Sequence, residues 1–283
     1  MIGLKFLLEI IVLPMLVYDY MKIFYLNPNE TISDFLTNPN TTYLSNEHIN
    51  ILQEIQLYSP NGEVVKFLND KKTDLQVAIT LSETNKRISV VFRGSESKSD
   101  WFYDLRILKK HLGDNIYVHT GFWEQLHINN NYQVIRDELN GLLNIYNNFQ
   151  IIITGHSLGG ALATLCGYEL SLELNAQIII ISFASPRIGN NIFTKRFDNQ
   201  HNLIHYRVSN NNDIVTALPM LNYKHCGVNI HLRENSYVIY TNYSYNKLWK
   251  FSLWKCHNIM DHDIDNYYKN LKNNLFKENN IIL

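Results

Sequence analysis

The sequence predicts one α/β domain in which helices cover both faces of a mainly parallel sheet. Short apolar runs typical of buried strands alternate with longer segments whose apolar residues recur at helical spacing. The 283 residues, 46% of them hydrophobic, are enough to form one large core. No internal repeat or low-complexity linker divides the chain, so we treat residues 1–283 as a single domain.

Most elements of this domain can be assigned in chain order. Strands are predicted at residues 75–81, 88–92, 149–153, 178–183 and 203–208, from short runs rich in apolar and β-branched residues, of which 149–153 is a continuous apolar run. Helices are predicted at residues 132–146, 158–174 and 265–275. The first two strands are expected to form a hairpin across the polar residues 83–86.

The amino terminus, residues 1–26, is an apolar segment interrupted by Glu9 and Pro14. Its uninterrupted apolar run is shorter than the about 20 residues that a membrane span needs. A secretory signal would have an uncharged apolar centre and small residues at its cleavage site, and this segment has neither. We therefore expect a packed amphipathic helix with Pro14 in its first turn; a signal or a membrane anchor is the alternative.

The composition argues against several classes of protein. The chain has 25 Lys and Arg against 26 Asp and Glu, so it lacks the basic surplus of nucleic-acid-binding proteins. Its three cysteines are too few for a disulfide scaffold and lack the spacing of a zinc site, although a Cys226–Cys256 bridge is left open. No His, Asp and Glu cluster has the spacing of metal ligands, so no metal is expected.

The motif that carries chemistry is G-x-S-x-G at residues 155–159, between a predicted buried strand and a predicted helix. This nucleophile elbow holds a serine on a sharp turn, and Gly155 and Gly159 leave space that a Cβ would fill. Ser157 then lies at the amino end of the helix, where the N–H of Leu158 can point at a developing oxyanion. Ser157 is therefore the predicted nucleophile.

A nucleophilic serine needs a histidine as its base and a carboxylate that orients this histidine. In chains with this elbow the acid and then the histidine follow the serine. Asp213 fits as the acid because it lies in the loop after a predicted strand. His262 lies just before the last helix and fits best as the base, with His257 and His225 as the alternatives.

Several further blocks occur in one order: V-V-F-R-G-S at 90–95, D-W-F-Y-D-L at 100–105, H-T-G-F at 119–122, G-H-S-L-G-G at 155–160, S-P-R-I-G-N at 185–190, and D-I-V at 213–215 with L-P at 218–219. Together they resemble the class 3, or fungal-type, lipase family of the α/β-hydrolase superfamily. His262 and Tyr267 resemble the terminal histidine–tyrosine region of that family, at an altered spacing. The likeness covers roughly residues 75–268.

This resemblance implies an α/β-hydrolase fold and hydrolysis of carboxylic esters, usually of lipids, without a metal or an organic cofactor. It implies a triad of Ser157, Asp213 and His262. It also places the first oxyanion donor at Ser95, with Leu158 as the second and Asp104 as the partner that holds the Ser95 hydroxyl.

The expected ligand is a lipid or ester substrate, including one at a membrane or lipid-droplet surface, and neither nucleic acid nor an obligate protein partner is expected. The leading activity is that of an acylglycerol lipase. A phospholipase A1 or a general carboxylesterase is an alternative with the same chemistry. An inactive lipid-binding or interaction protein is an alternative of another class. The sequence assigns no cellular compartment.

A lid is expected after the oxyanion block. Trp101, Leu105 and Leu108 have i, i+4, i+7 spacing, which would place them on one face of an amphipathic helix. Such a helix could open at a lipid surface. A segment that packs permanently on the core is the alternative.

Overall fold

The structure is a computed structural model that describes residues 2–24, 46, 63–95, 108–220, 222–241 and 259–281. Its helices are α1 (Leu4–Phe24), α2 (Thr120–His127), α3 (Asn131–Ile145), α4 (Leu158–Glu173), α5 (Asn191–Asp198) and α6 (Ile264–Ile281). Its strands are β1 (Glu63–Asp70), β2 (Leu75–Ser82), β3 (Arg87–Phe92), β4 (Lys109–His111), β5 (Tyr117–His119), β6 (Gln150–His156), β7 (Ile178–Phe183), β8 (Leu203–Asn210), β9 (Val228–Arg233) and β10 (Ser236–Tyr240).

Eight of these strands form one sheet in the order β1-β2-β3-β6-β7-β8-β9-β10, and β4 and β5 form a separate hairpin. The strands from β3 to β9 in that order run parallel to one another. The outer strands β1, β2 and β10 pair antiparallel with their neighbours. The prediction of an α/β fold with a mainly parallel sheet is therefore confirmed.

Helices cover both faces of the sheet. The cluster that contains the apolar residues of α2, α3 and α4 lies on one face. The cluster that contains α1 and the buried side of α6 lies on the other. The carboxyl ends of β6 and β8 lie between these layers, and the loops that follow these strands carry the candidate site.

Three strands and the β4–β5 hairpin were not predicted from the sequence. Most side chains of β1 and β10 are only partly buried, because these strands lie at the two edges of the sheet. In β9 the polar residues Asn229 and His231 alternate with apolar ones. These strands lack the continuous apolar run that made the most central strands predictable.

Helix α1 is covered by protein along most of its length. Apart from the partly buried Phe6, its apolar residues from Leu4 to Val17 are buried against the sheet and against α6. Pro14 lies inside this helix, so the expectation of Pro14 in the first turn was wrong. Burial of the apolar side chains on both sides of Pro14 offsets the backbone hydrogen bond that a proline cannot donate. Within the described residues, no helix combines the length and the apolar character of a membrane span.

Glu9, which interrupts the apolar amino-terminal run, forms an ion pair with the sheet. Its Oε1 lies 2.8 Å from Nη1 of Arg87 on β3, and the two side chains are only 14% and 4% exposed. Glu and Arg are seldom buried to this degree unless they are paired. The charge in the apolar segment is therefore explained by its partner on the sheet.

We expect Glu9→Ala to lower the free energy of unfolding by about 3–5 kcal/mol, because Arg87 then stays buried without this carboxylate. Chemical denaturation followed by circular dichroism measures the change. The control is Arg196→Ala, which breaks the exposed Arg196–Asp114 pair at the same distance of 2.8 Å. That loss should not exceed about 1 kcal/mol. Equal losses in the two variants would contradict the prediction.

Candidate active site

Ser157 lies on the sharp turn between β6 and α4. Its backbone angles, φ 58° and ψ −124°, are strained for a residue with a Cβ. A Cβ on Gly155 would overlap the carbonyl group of Gly159, and a Cβ on Gly159 would overlap the carbonyl oxygen of Phe92. The Ser157 N–H donates to the carbonyl of Phe183 at 2.9 Å. The turn therefore depends on two glycines and on contacts with neighbouring strands.

The side chains chosen from the sequence as nucleophile, base and acid lie together at the carboxyl end of the parallel strands. Ser157 Oγ is 2.8 Å from His262 Nε2. His262 Nδ1 is 3.0 and 3.1 Å from the two carboxylate oxygens of Asp213. Because a carboxylate only accepts, His262 Nδ1 carries the hydrogen and, in the neutral ring, Nε2 is free to accept the serine proton.

Tyr267, in the first turns of α6, holds the carboxylate of Asp213. Its hydroxyl donates to Asp213 Oδ2 at 2.6 Å and accepts the N–H of Asn210 at 3.1 Å. The N–H of Val215 donates to the other carboxylate oxygen at 2.9 Å. Burial, together with the charge of Asp213, raises the pKa of Tyr267 well above its usual value. The hydroxyl therefore stays protonated and remains a donor.

Asp261 connects the loop of the predicted acid to the loop of the predicted base. Its carboxylate accepts the N–H of Asn212 at 3.2 Å and the side-chain amide of Asn211 at 3.4 Å. Its carbonyl accepts the side-chain amide of Asn210 at 3.2 Å. These contacts were not predictable from the sequence, because bonds between residues some 50 positions apart leave no local pattern.

The segments that carry the predicted oxyanion donors are in close backbone contact. A Cβ on Gly94 would lie 2.8 Å from the carbonyl oxygen of His156. Gly94, which precedes Ser95, thus packs against His156, which precedes Ser157. Ser95 is half-buried, and Leu158 is buried at the start of α4.

Leu108, one of the three lid candidates, lies directly before β4 and outside any helix. Its carbonyl accepts the N–H of Thr120 and the hydroxyl of Tyr223, and 58% of its surface is exposed. It therefore belongs to the start of the β4–β5 hairpin rather than to a helix. Several other residues singled out from the sequence lie outside the described residues: Trp101, Leu105, Asp104, His257 and Cys256.

His225, an alternative base, and Cys226, a possible disulfide partner, have other contacts in the structure. His225 Nε2 donates to the carbonyl of Thr216 at 2.6 Å. Burial and the positive charges of Arg207 and Arg187 hold the pKa of His225 well below its usual value, so its ring is neutral and bonded to Thr216. Cys226 is a free, buried thiol, so no bridge is formed at this residue.

The stability of this fold should fall in acid because of His205. Burial and, to a smaller extent, Arg207 lower the pKa of His205 from 6.5 to about 3. The unfolded chain therefore binds a proton below pH 6.5, whereas the folded protein does not until about pH 3. The free energy of unfolding should decrease over this window by up to about 1.4 kcal/mol per pH unit for this one group.

Denaturant unfolding at a series of pH values tests this expectation. His205→Gln keeps a side chain that can reach Ser182, which lies 2.8 Å from His205 Nε2, and removes the titrating group. It should reduce the slope between pH 6.5 and pH 3. The exposed His201, changed to Gln, is the control and should leave the slope unchanged. An unaltered slope in His205→Gln would show that this imidazole is not the source.

A serine–histidine–aspartate chain on a strand–turn–helix elbow, at the carboxyl end of a mainly parallel sheet, defines an α/β-hydrolase. Comparison with known proteins shows which group of α/β-hydrolases this chain resembles. The sequence profile of the class 3 lipases matches residues 89–223. This match confirms the resemblance seen in the motifs: the chain is similar to the class 3 lipases over these residues.

Two curated relatives and one solved structure illustrate the similarity. A secreted mono- and diacylglycerol lipase of Penicillium cyclopium is 30% identical over 161 residues, which are 55% of this chain and 50% of the relative. A chloroplastic phospholipase A(1) of Arabidopsis thaliana is 30% identical over 158 residues, 49% of this chain and 35% of the relative. The crystal structure of a lipase from Rhizopus microsporus var. chinensis has a TM-score of 0.66 and 29% identity, covering 74% of this chain and 76% of that one. The chain spans about half the length or less of these two curated relatives.

Proposed function

We propose that this protein is a serine hydrolase that cleaves the carboxylic ester bonds of acylglycerols. The observation that carries the proposal is the hydrogen-bonded chain from Ser157 through His262 to Asp213, with its steps of 2.8 and 3.0 Å. These distances lie within the range that proton transfer between a nucleophile and its base requires. The similarity to a secreted mono- and diacylglycerol lipase supports an acylglycerol as the substrate.

The first chemical step is an attack on the ester carbonyl. Ser157 Oγ forms the bond to the carbonyl carbon while His262 Nε2 takes the serine proton. The ring then becomes positively charged, and the carboxylate of Asp213 stabilises this charge through Nδ1. Because Asp213 already accepts bonds from Tyr267 and Val215, it is oriented before the reaction begins.

Negative charge collects on the carbonyl oxygen during the attack. We assign its stabilisation to the backbone N–H groups of Ser95 and Leu158, helped by the amino end of α4. His262 next returns its proton to the oxygen of the leaving alcohol, and an acyl group remains on Ser157. Water activated by His262 then attacks this ester, which releases the fatty acid and the free serine.

A phospholipase A1 is the second candidate. The observation that favours it is the 30% identity to a chloroplastic phospholipase A(1) of Arabidopsis thaliana. The same bond-making steps apply, and the two activities differ only in what occupies the leaving-group side of the ester. Shape and polarity of the pocket, rather than the triad, decide between them.

The proposed function is tested with a panel of mono-, di- and triacylglycerols and phosphatidylcholine, assayed with the wild type and Ser157→Ala. We expect acylglycerol hydrolysis by the wild type and a loss of about 10⁴–10⁶ in kcat for Ser157→Ala, because the nucleophile is removed. Release of fatty acid is the measurement. Hydrolysis that survives in Ser157→Ala would refute the mechanism. A wild type inactive on every ester would favour the inactive lipid-binding alternative.

Tyr267→Phe should lower kcat by about 10-fold or more at a nearly unchanged KM, because Asp213 loses the donor that orients it. Steady-state kinetics on a soluble ester measure both constants. The matched control is Tyr132→Phe, which also removes a tyrosine–carboxylate hydrogen bond, to Glu173 at 2.9 Å. Glu173 ends α4 about 22 Å from the first residue of that helix, so the control should keep the wild-type kcat. Equal losses in both variants would indicate a general effect on stability.

A further inference from the structure

We infer that His156, the residue directly before the nucleophile, is a positioning residue that holds His262 at the distance from Ser157 that proton transfer requires. The inference rests on the proposed function. His156 Nε2 lies 2.8 Å from the backbone carbonyl oxygen of His262. The His156 side chain belongs to the buried end of β6, and the residue is only 4% exposed.

The direction of this hydrogen bond is fixed by its acceptor. A carbonyl oxygen cannot donate, so Nε2 of His156 carries a hydrogen and donates it. The neutral Nε2–H tautomer and the charged ring both satisfy this requirement. The bond to His262 therefore persists whichever of these two forms is present, and the role of His156 does not depend on its taking up or releasing a proton.

The bond matters because of which segments it connects. Asp261 and the asparagines at 210–212 join the loop of the base to the loop of the acid. Those contacts fix His262 relative to Asp213, not relative to the nucleophile, which lies 105 residues earlier in the chain. His156 is peptide-bonded to Ser157 on the strained turn. Its donation to the His262 carbonyl thus ties the base directly to the segment that carries the nucleophile.

Ring contacts restrict how far His156 can move. Its ring lies 4.9 Å from that of His262, with 37° between the planes. It lies 6.0 Å from the ring of Tyr267 in an edge-on arrangement. A side chain that packs against the base and against the residue holding the acid has little freedom to turn away. The donor is therefore held in place before substrate binds, as positioning of a base requires.

Two amide substitutions at His156 distinguish the effect of losing the hydrogen bond from the effect of losing the imidazole ring. In His and in Gln, four bonds lead from Cα to Nε2, whereas the amide nitrogen of Asn lies one bond closer to the backbone. His156→Gln can therefore reach the His262 carbonyl, and His156→Asn cannot. We expect His156→Asn to lower kcat by about 10- to 100-fold with little change in KM, and His156→Gln to restore most of it. The substrate is a soluble short-chain p-nitrophenyl ester, which avoids any effect of a lipid surface.

A second readout follows the reactivity of Ser157 itself. The rate at which an alkyl phosphonate ester labels Ser157, followed by mass spectrometry, should fall in His156→Asn in parallel with kcat and recover in His156→Gln. Thermal unfolding establishes that each variant is folded. If His156→Asn does not fold, His156→Phe keeps the ring and removes the donor, and it should show the same loss. The exposed His201, changed to Asn, is the control and should behave as the wild type.

The inference is overturned if His156→Asn keeps the wild-type kcat and labelling rate, or if His156→Gln is as slow as His156→Asn. Failure of the proposed function gives a different result: either the wild type hydrolyses no ester, or Ser157→Ala hydrolyses it as fast as the wild type. The proposed function and the positioning role of His156 are both supported if His156→Asn is slow, His156→Gln recovers most of the wild-type kcat, and Ser157→Ala is inactive.

Discussion

The strained backbone of Ser157 is the constraint on which the rest of the site depends. A left-handed φ at a serine costs about 1–3 kcal/mol and persists only where the surroundings enforce it. Here the enforcement comes from the buried strand β6, the buried helix α4 and the two glycines that let their backbones touch. The turn directs the hydroxyl to His262 and sets His156 beside the same histidine.

Fold and site were predictable from the sequence where the physical cause is local. The central strands β6 and β7 are largely buried and contain continuous runs of isoleucine, whereas the edge strands β1 and β10 mix polar and apolar residues and were missed. The elbow at Ser157 has a local pattern, and chain order then indicated Asp213 and His262. The contacts of His156 and Asp261 join segments about 50 to 106 residues apart, which no periodicity reveals.

The amino-terminal helix shows how a single charge is read differently in sequence and in structure. Glu9 argued against a signal or an anchor because it interrupts an apolar run. In the structure it meets Arg87, so the sheet carries the complementary charge under the helix. The same helix accepts Pro14 in its interior, since its apolar side chains on both sides of the proline are buried.

The contacts of Asp261 have a consequence for how a site of this kind can diversify. Because the loop of Asp213 and the loop of His262 are bonded to each other and to Tyr267, they form one preassembled half of the proposed triad. The chain that connects these two loops therefore does not have to align them, because their direct hydrogen bonds do so. Apart from β9 and β10, which belong to the central sheet, this connection can change in sequence without disturbing the bonds that join the two loops.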